Sequence, residues 1–282
     1  MTEFTHSRRR FMVLSSATLA AAPWLASCAS AEGSAAIPAK AIGMPWPNWG
    51  ELPDTPPSAP NAGSVGFAVM GLGGYGIGKV LPALANGERC HVAAVVSGNP
   101  EKAKTVAAAY GLPDDAIYSY EDFDRIADDD RVDAVYNVLP TGLHLEWTEK
   151  SFAAGKHVLC EKPMADTLGA ANDMMLVCRR NSVKLAIGHQ RRWLPAYTLA
   201  KDLIADGEIG DVSFIKVYAR DGLPNYSSHQ ADLFRYLLSD AECTWAMGNV
   251  ERETDRWARA IPIEDKALAV FGFDTGTEAM IL

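Results

Sequence analysis

Positive charge is scarce in this sequence. The 26 lysines and arginines stand against 35 aspartates and glutamates, a formal net charge of −9. That balance argues against a nucleic-acid binder, whose ligand selects for a basic face. Long apolar runs are scarce too: beyond residues 1–31 none is continuous enough to cross a bilayer. Cysteine is sparse, with 5 in the chain. Cys90, Cys160, Cys178 and Cys243 form no C-x-x-C pair, and no His/Cys cluster has zinc-ligand spacing, so no metal site is expected. Cys90 and Cys160 sit in apolar segments, where a free cysteine acts as a small core hydrophobe. No internal repeat is visible.

The apolar fraction of 48% is enough for a sizeable core. Residues 1–31 stand apart from the fold. Ser7-Arg8-Arg9-Arg10-Phe11-Met12 followed by the apolar stretch Val13 to Leu25 has the order of a signal peptide, and the paired arginines point to the twin-arginine route and a periplasmic destination. Two endings are open. Leu25-Ala26-Ser27-Cys28 resembles a lipobox, which would lipidate Cys28 and anchor the chain to a membrane; Ala29-Ser30-Ala31 would serve as an ordinary cleavage site. Residues 32–64 follow, rich in Ala, Pro and Gly, with Pro45-Trp46-Pro47-Asn48-Trp49 inside. This composition predicts an extended arm, part of which docks through its tryptophans.

From Val65 the pattern becomes strands alternating with helices: strands at Val65–Met70, His91–Val96, Asp133–Leu139, His157–Cys160 and Lys184–Ile187. Such alternation predicts an α/β unit over 65–190, a doubly wound parallel sheet covered on both faces. After Pro195 strands cluster at Val212–Ala219, Thr244–Arg252, Ala267–Phe273 and Glu278–Leu282, which predicts an α+β unit over 191–282 with a mostly antiparallel sheet.

Chemistry is concentrated at the first strand's end. Gly71-Leu72-Gly73-Gly74-Tyr75-Gly76 fits G-x-G-x-x-G between a strand and a helix, the context of a Rossmann dinucleotide site. Gly71 makes the tight turn, Gly73 lets the backbone approach the pyrophosphate, and Gly76 allows close helix packing, with Tyr75 in the same turn on the cofactor side. The helix N-terminus then offers N–H groups to the phosphates. The second strand ends Val96-Ser97-Gly98-Asn99-Pro100-Glu101-Lys102, with no carboxylate at the strand end to grip a ribose 2′-hydroxyl. Ser97 can donate a hydrogen bond and Lys102 a positive charge, which favours NADP over NAD. Lys102 is also readable as a solvated helix residue.

Ala154-Gly155-Lys156-His157-Val158-Leu159-Cys160-Glu161-Lys162-Pro163-Met164-Ala165 resembles the hallmark segment of the Gfo/Idh/MocA oxidoreductases, and Leu139-Pro140-Thr141-Gly142-Leu143-His144 resembles the segment before it. Within that family the likeness is greatest to the periplasmic glucose–fructose oxidoreductases. It covers about 65 to 200 and rests also on Val96-Ser97-Gly98-Asn99, Ile117-Tyr118 and Asp133-Ala134-Val135-Tyr136. The resemblance implies hydride transfer between a nicotinamide cofactor and a sugar or polyol. It implies that Lys162 sits by the nicotinamide and bonds the reacting hydroxyl, that Pro163 is cis, and that Leu139, Pro140 and Glu161 lie on the cofactor side. An ion pair of Lys162 with Glu161 is the structural alternative. His144 is open between the nicotinamide end and a helix cap.

Asn225-Tyr226-Ser227-Ser228-His229-Gln230-Ala231-Asp232 resembles the family's Asp-x-Gly-x-His-x-x-Asp. His229 and Asp232 match; Asn225 and Ser227 depart from it. The likeness implies His229 as general base, with Asn225 and Asp232 beside the substrate, although an amide cannot take a proton. His229 is also readable as a helix-cap histidine. The chain also stops before the further strands that relatives carry in the second sheet, which commonly forms their subunit interface. A fragment or a reduced domain is expected, and a homo-oligomer stays open. A dinucleotide-binding protein without turnover and an NAD-dependent glycoside-cleaving relative remain as alternatives to the oxidoreductase.

Overall fold

A computed structural model of the chain describes residues 52–282, with 220, 221, 259 and 260 excepted. The signal segment, Cys28, Trp46 and Trp49 lie outside the described residues. Six strands form one parallel sheet: β1 (Val65–Met70), β2 (Cys90–Val96), β3 (Ile117–Tyr118), β4 (Ala134–Asn137), β5 (His157–Cys160) and β6 (Leu185–Ile187). Their spatial order is β3-β2-β1-β4-β5-β6, the doubly wound order with its topological reversal between β1 and β4. Ligands of such sheets bind at that reversal, beyond the strands' C-terminal ends.

The sheet forms because its strands are apolar on both faces. Successive residues of β1 alternate sides: Met70 packs with Val96, Phe123 and Trp147 on one face, and Val69 with Ile77, Leu81, Val95 and Val106 on the other. Each fully buried side chain of this size contributes about 1.5–3 kcal/mol. The covering helices are α1 (Leu81–Ala85), α2 (Pro100–Ala109), α3 (His144–Ala153) and α4 (Leu168–Arg180). The helix that the glycine loop opens starts as a π turn, Gly76–Val80, and continues as α1. Pro82 has no N–H to offer the preceding turn, and the change of register falls just ahead of it. β3 escapes periodicity because it has only two residues; its pairing with Val95 and Val96 defines it.

The described part of the arm lies on this unit. Leu52 packs on the Val69 face, Pro56 stands against Gly111, and Asn61 Nδ2 donates to the Glu88 carbonyl at 2.9 Å.

The second unit begins with α5 (Pro195–Ala205). Then come β7 (Phe214–Val217), α6 (Ser227–Leu237), β8 (Cys243–Glu251), β9 (Trp257–Ala258), β10 (Ile261–Pro262), β11 (Lys266–Phe273) and β12 (Glu278–Ile281). The larger sheet has the order β7-β12-β11-β8, antiparallel except for the parallel pair β7 and β12. α6 covers it through Phe234, packed with Ala269, Phe273, Ala279 and Ile281.

Candidate active site

The glycine loop has the shape a pyrophosphate requires. Gly71 adopts φ +99°, a left-handed conformation that disfavours a side chain. A Cβ on Gly76 would fall on the Gly71 carbonyl oxygen, so only glycine lets the helix start this close to the strand. A Cβ on Gly73 would meet nothing within 4 Å among the described residues, so the backbone there is open to an approaching group. These residues fit a dinucleotide. Across the loop, Lys102 Nζ donates to the Leu72 carbonyl at 3.1 Å, and burial holds its pKa below the usual lysine value. Lys102 is therefore tied to the loop while remaining partly exposed. Ser97 is buried, and its hydroxyl oxygen accepts the Asn99 N–H at 3.1 Å. Asn99 caps α2 through its side chain.

The loop after β4 is tied together from inside. Leu139 N–H donates to Asn137 Oδ1, and the Pro140 carbonyl accepts from Leu143. His144 is 1% exposed. Its Nε2 lies 2.8 Å from the Leu139 carbonyl, and its Nδ1 lies 3.0 Å from the Pro163 carbonyl and 3.2 Å from that of Met164. His144 thus neither caps α3 nor offers a nitrogen to a cofactor; it bridges two loops, a correction to its placement as a cofactor contact. Burial keeps its pKa below the ordinary imidazole value.

The peptide Lys162-Pro163 is cis. Glu161 is buried, accepting the Tyr136 hydroxyl at 2.8 Å and the Lys162 backbone N–H at 3.2 Å. Lys162 Nζ reaches the other way. It donates to the Asn225 carbonyl at 2.8 Å, with Asn225 Oδ1 at 3.4 Å. A cavity of about 180 Å³ opens there between the two units, lined by Tyr75, Glu161, Lys162, Gln190, Asn225, Tyr226 and His229. Tyr75 belongs to the glycine loop, so this cavity adjoins the cofactor turn. His229 is 5% exposed and sits in the first turn of α6, whose N-terminal cap makes no side-chain bond. It faces the cavity rather than capping the helix.

Asp232 is a second correction. It does not line the cavity. Arg192 holds it with Nε at 3.0 and 2.9 Å and Nη2 at 2.7 Å, and also reaches Asp240 at 2.9 Å. That pair clamps α6 to the segment after β6. Gln190, whose Nε2 lies 3.4 Å from the Tyr75 hydroxyl, was missed by sequence reasoning. Its signal was available: Gly188-His189-Gln190 follows a strand's C-terminal end, where such sheets bind ligands.

Fold and loop together define a dinucleotide-binding α/β protein. A family model described as "Oxidoreductase family, NAD-binding Rossmann fold" matches residues 65–189. Over 151 residues the chain is 39% identical to D-xylose 1-dehydrogenase [NADP(+)] of Haloarcula marismortui, a match covering 54% of this chain and 42% of that protein. The chain spans less than half the length of the curated relatives it matches. The crystal structure of aldose-aldose oxidoreductase from Caulobacter crescentus complexed with glycerol is similar at a TM-score of 0.70 and 34% identity, over 77% of this chain and 70% of that one. A structure of scyllo-inositol dehydrogenase from Lactobacillus casei with bound NAD(H) and scyllo-inositol is similar at a TM-score of 0.62 and 25% identity, over 77% of this chain and 68% of that one. The chain belongs to the Gfo/Idh/MocA oxidoreductase family.

Proposed function

We propose that this chain is an NADP-dependent oxidoreductase of a sugar or polyol, working in the periplasm after export by its twin-arginine signal. The observation that carries the reading is the convergence of Lys162, Asn225 and His229 on one cavity beside Tyr75 of the glycine loop. NADP is supported by Lys102 at the loop, by the absence of a carboxylate at the end of β2, and by the xylose dehydrogenase relative. Glycerol and scyllo-inositol in the two similar structures support a polyhydroxy substrate.

The cofactor, when bound, supplies hydride chemistry. The chain supplies geometry and proton handling. Lys162 is held by the Asn225 carbonyl with its Nζ in the cavity wall, where it can donate to a substrate oxygen. The His229 imidazole takes the hydroxyl proton as the carbonyl forms. The Asn225 amide orients the substrate without titrating. Tyr226 and Gln190 complete the cavity wall. Cleavage after Ala31 would release the chain; lipidation at Cys28 would anchor it.

Purified from residue 32 and denatured, the protein is expected to release NADP, identified by absorbance and mass. Lys162→Ala is expected to lose about 10²–10⁴-fold in turnover on a panel of aldoses and polyols while still binding the nucleotide. A protein that takes up neither NADP nor NAD would overturn the reading.

A further inference from the structure

The segment after β6, Gly188-His189-Gln190-Arg191-Arg192, leaves the parallel sheet beside the cavity. Gln190 enters the cavity wall and Arg192 binds Asp232. His189 lies between these two contacts. Its ring meets the His229 ring edge-on, with centroids 6.0 Å apart and planes at 79°. Its Nδ1 is buried without a hydrogen-bond partner among the described residues, and stands 3.8 Å from Asp232 Oδ2, beyond bonding reach. Arg192 gives Oδ1 two bonds and Oδ2 one, so Oδ2 is the oxygen better able to accept another.

We propose that His189 is a positioning residue for His229. Neutral, it forms an uncharged wall that holds the His229 ring against the cavity; protonated, it turns its Nδ1–H to Asp232 and withdraws that wall. The catalytic consequence rests on His229 being the proton acceptor, whereas the coupling of the two rings is a property of the folded chain alone.

The charged and titratable groups around His189 are Asp232 and His229 from α6, Arg192 from its own segment, and Lys162 from the end of β5. Asp240 lies beyond Arg192. Burial lowers the His189 pKa most, Asp232 opposes this, and Arg192 and Lys162 add to the lowering. Neutral His189 is therefore the resting form near pH 7, and the switch falls on the acid side, below the ordinary histidine value of about 6.5.

The test is an NMR titration of the whole mature chain carrying ¹³C-labelled histidine, from about pH 8 to pH 5, a window set around that ordinary value. His189→Phe and His229→Phe assign the two rings. The His229 signals are expected to inflect a second time at the His189 midpoint. That inflection should vanish in His189→Phe, which keeps an aromatic wall, and in His189→Gln, should the phenylalanine variant fail to fold. Asp232→Asn is expected to move the His189 midpoint down by about one unit, the scale of one nearby opposite charge. His229 curves that superimpose with and without His189, or a midpoint unmoved in Asp232→Asn, would overturn the proposal. Coupled rings without sugar turnover would support it while overturning the proposed function.

Discussion

Between Val65 and Gly188 the chain shapes its nucleotide turn from backbone, three glycines whose missing side chains form a loop, and lends the cavity the side chains of Tyr75, Glu161 and Lys162. From Gln190 onward it contributes side chains, Gln190, Asn225, Tyr226 and His229, carried on short turns and one helix. The two halves also differ in cover. The parallel sheet is packed on both faces, whereas Met247 and Val250 on β8 are 56% and 59% exposed. A backbone site tolerates few substitutions at its glycines but is indifferent to substrate. A side-chain site can be rewritten residue by residue, which is how one family serves many sugars.

The sharpest way to break this division is Gly76→Val. Its Cβ would fall on the Gly71 carbonyl oxygen. Overpacking at this site is expected to cost about 1–3 kcal/mol in a thermal melt. Nucleotide affinity should fall by more than about 100-fold by calorimetry, some 2.7 kcal/mol. If Lys162→Ala weakens nucleotide binding as severely, the division between the halves is wrong. A smaller effect sharpens it: Lys102→Ala should weaken NADP by about tenfold and leave NAD within about twofold, as expected for one partly solvated charge-assisted bond. Equal loss for both nucleotides would assign Lys102 to loop packing instead.

The smallest effect concerns the first unit's own stability. Arg131 hydrogen-bonds Asp129 and, with the Tyr118 hydroxyl at 2.7 Å, holds its carboxyl at about 2, below the ordinary aspartate range. A carboxyl depressed in the folded state stabilises above its unfolded pKa, and that contribution fades as pH falls from about 4 toward 2. Melts of Asp129→Asn should show a shallower acid decline over that window while the second unit's share is unchanged.

How much of this was legible in the sequence follows the same division. The glycine loop, the alternation of strands and helices, and the Glu161-Lys162-Pro163 segment are local patterns, and local patterns leave a periodic or spaced signature. The second unit's strands were also read close to their places. The contacts that assemble the cavity were not readable. Lys162 meets Asn225 63 residues away, Arg192 meets Asp232 40 away, and Gln190 meets Tyr75 115 away. Asp232 illustrates the cost. Its spacing from His229 suggested a role at the substrate, but only the fold shows that Arg192 claims it. His144 was misjudged for a related reason, since its two partners come from loops on either side of α3 and β5.

That histidine sets an alignment tolerance for the whole centre. One loop it grips carries Leu139; the other carries Pro163 and Met164, directly after Lys162. The neutral ring has one N–H, so it bonds the carbonyl of one loop while its other face packs against the second loop. The imidazole works as a spacer between the ends of β4 and β5, so the placing of the lysine depends on a side chain that never enters the cavity wall.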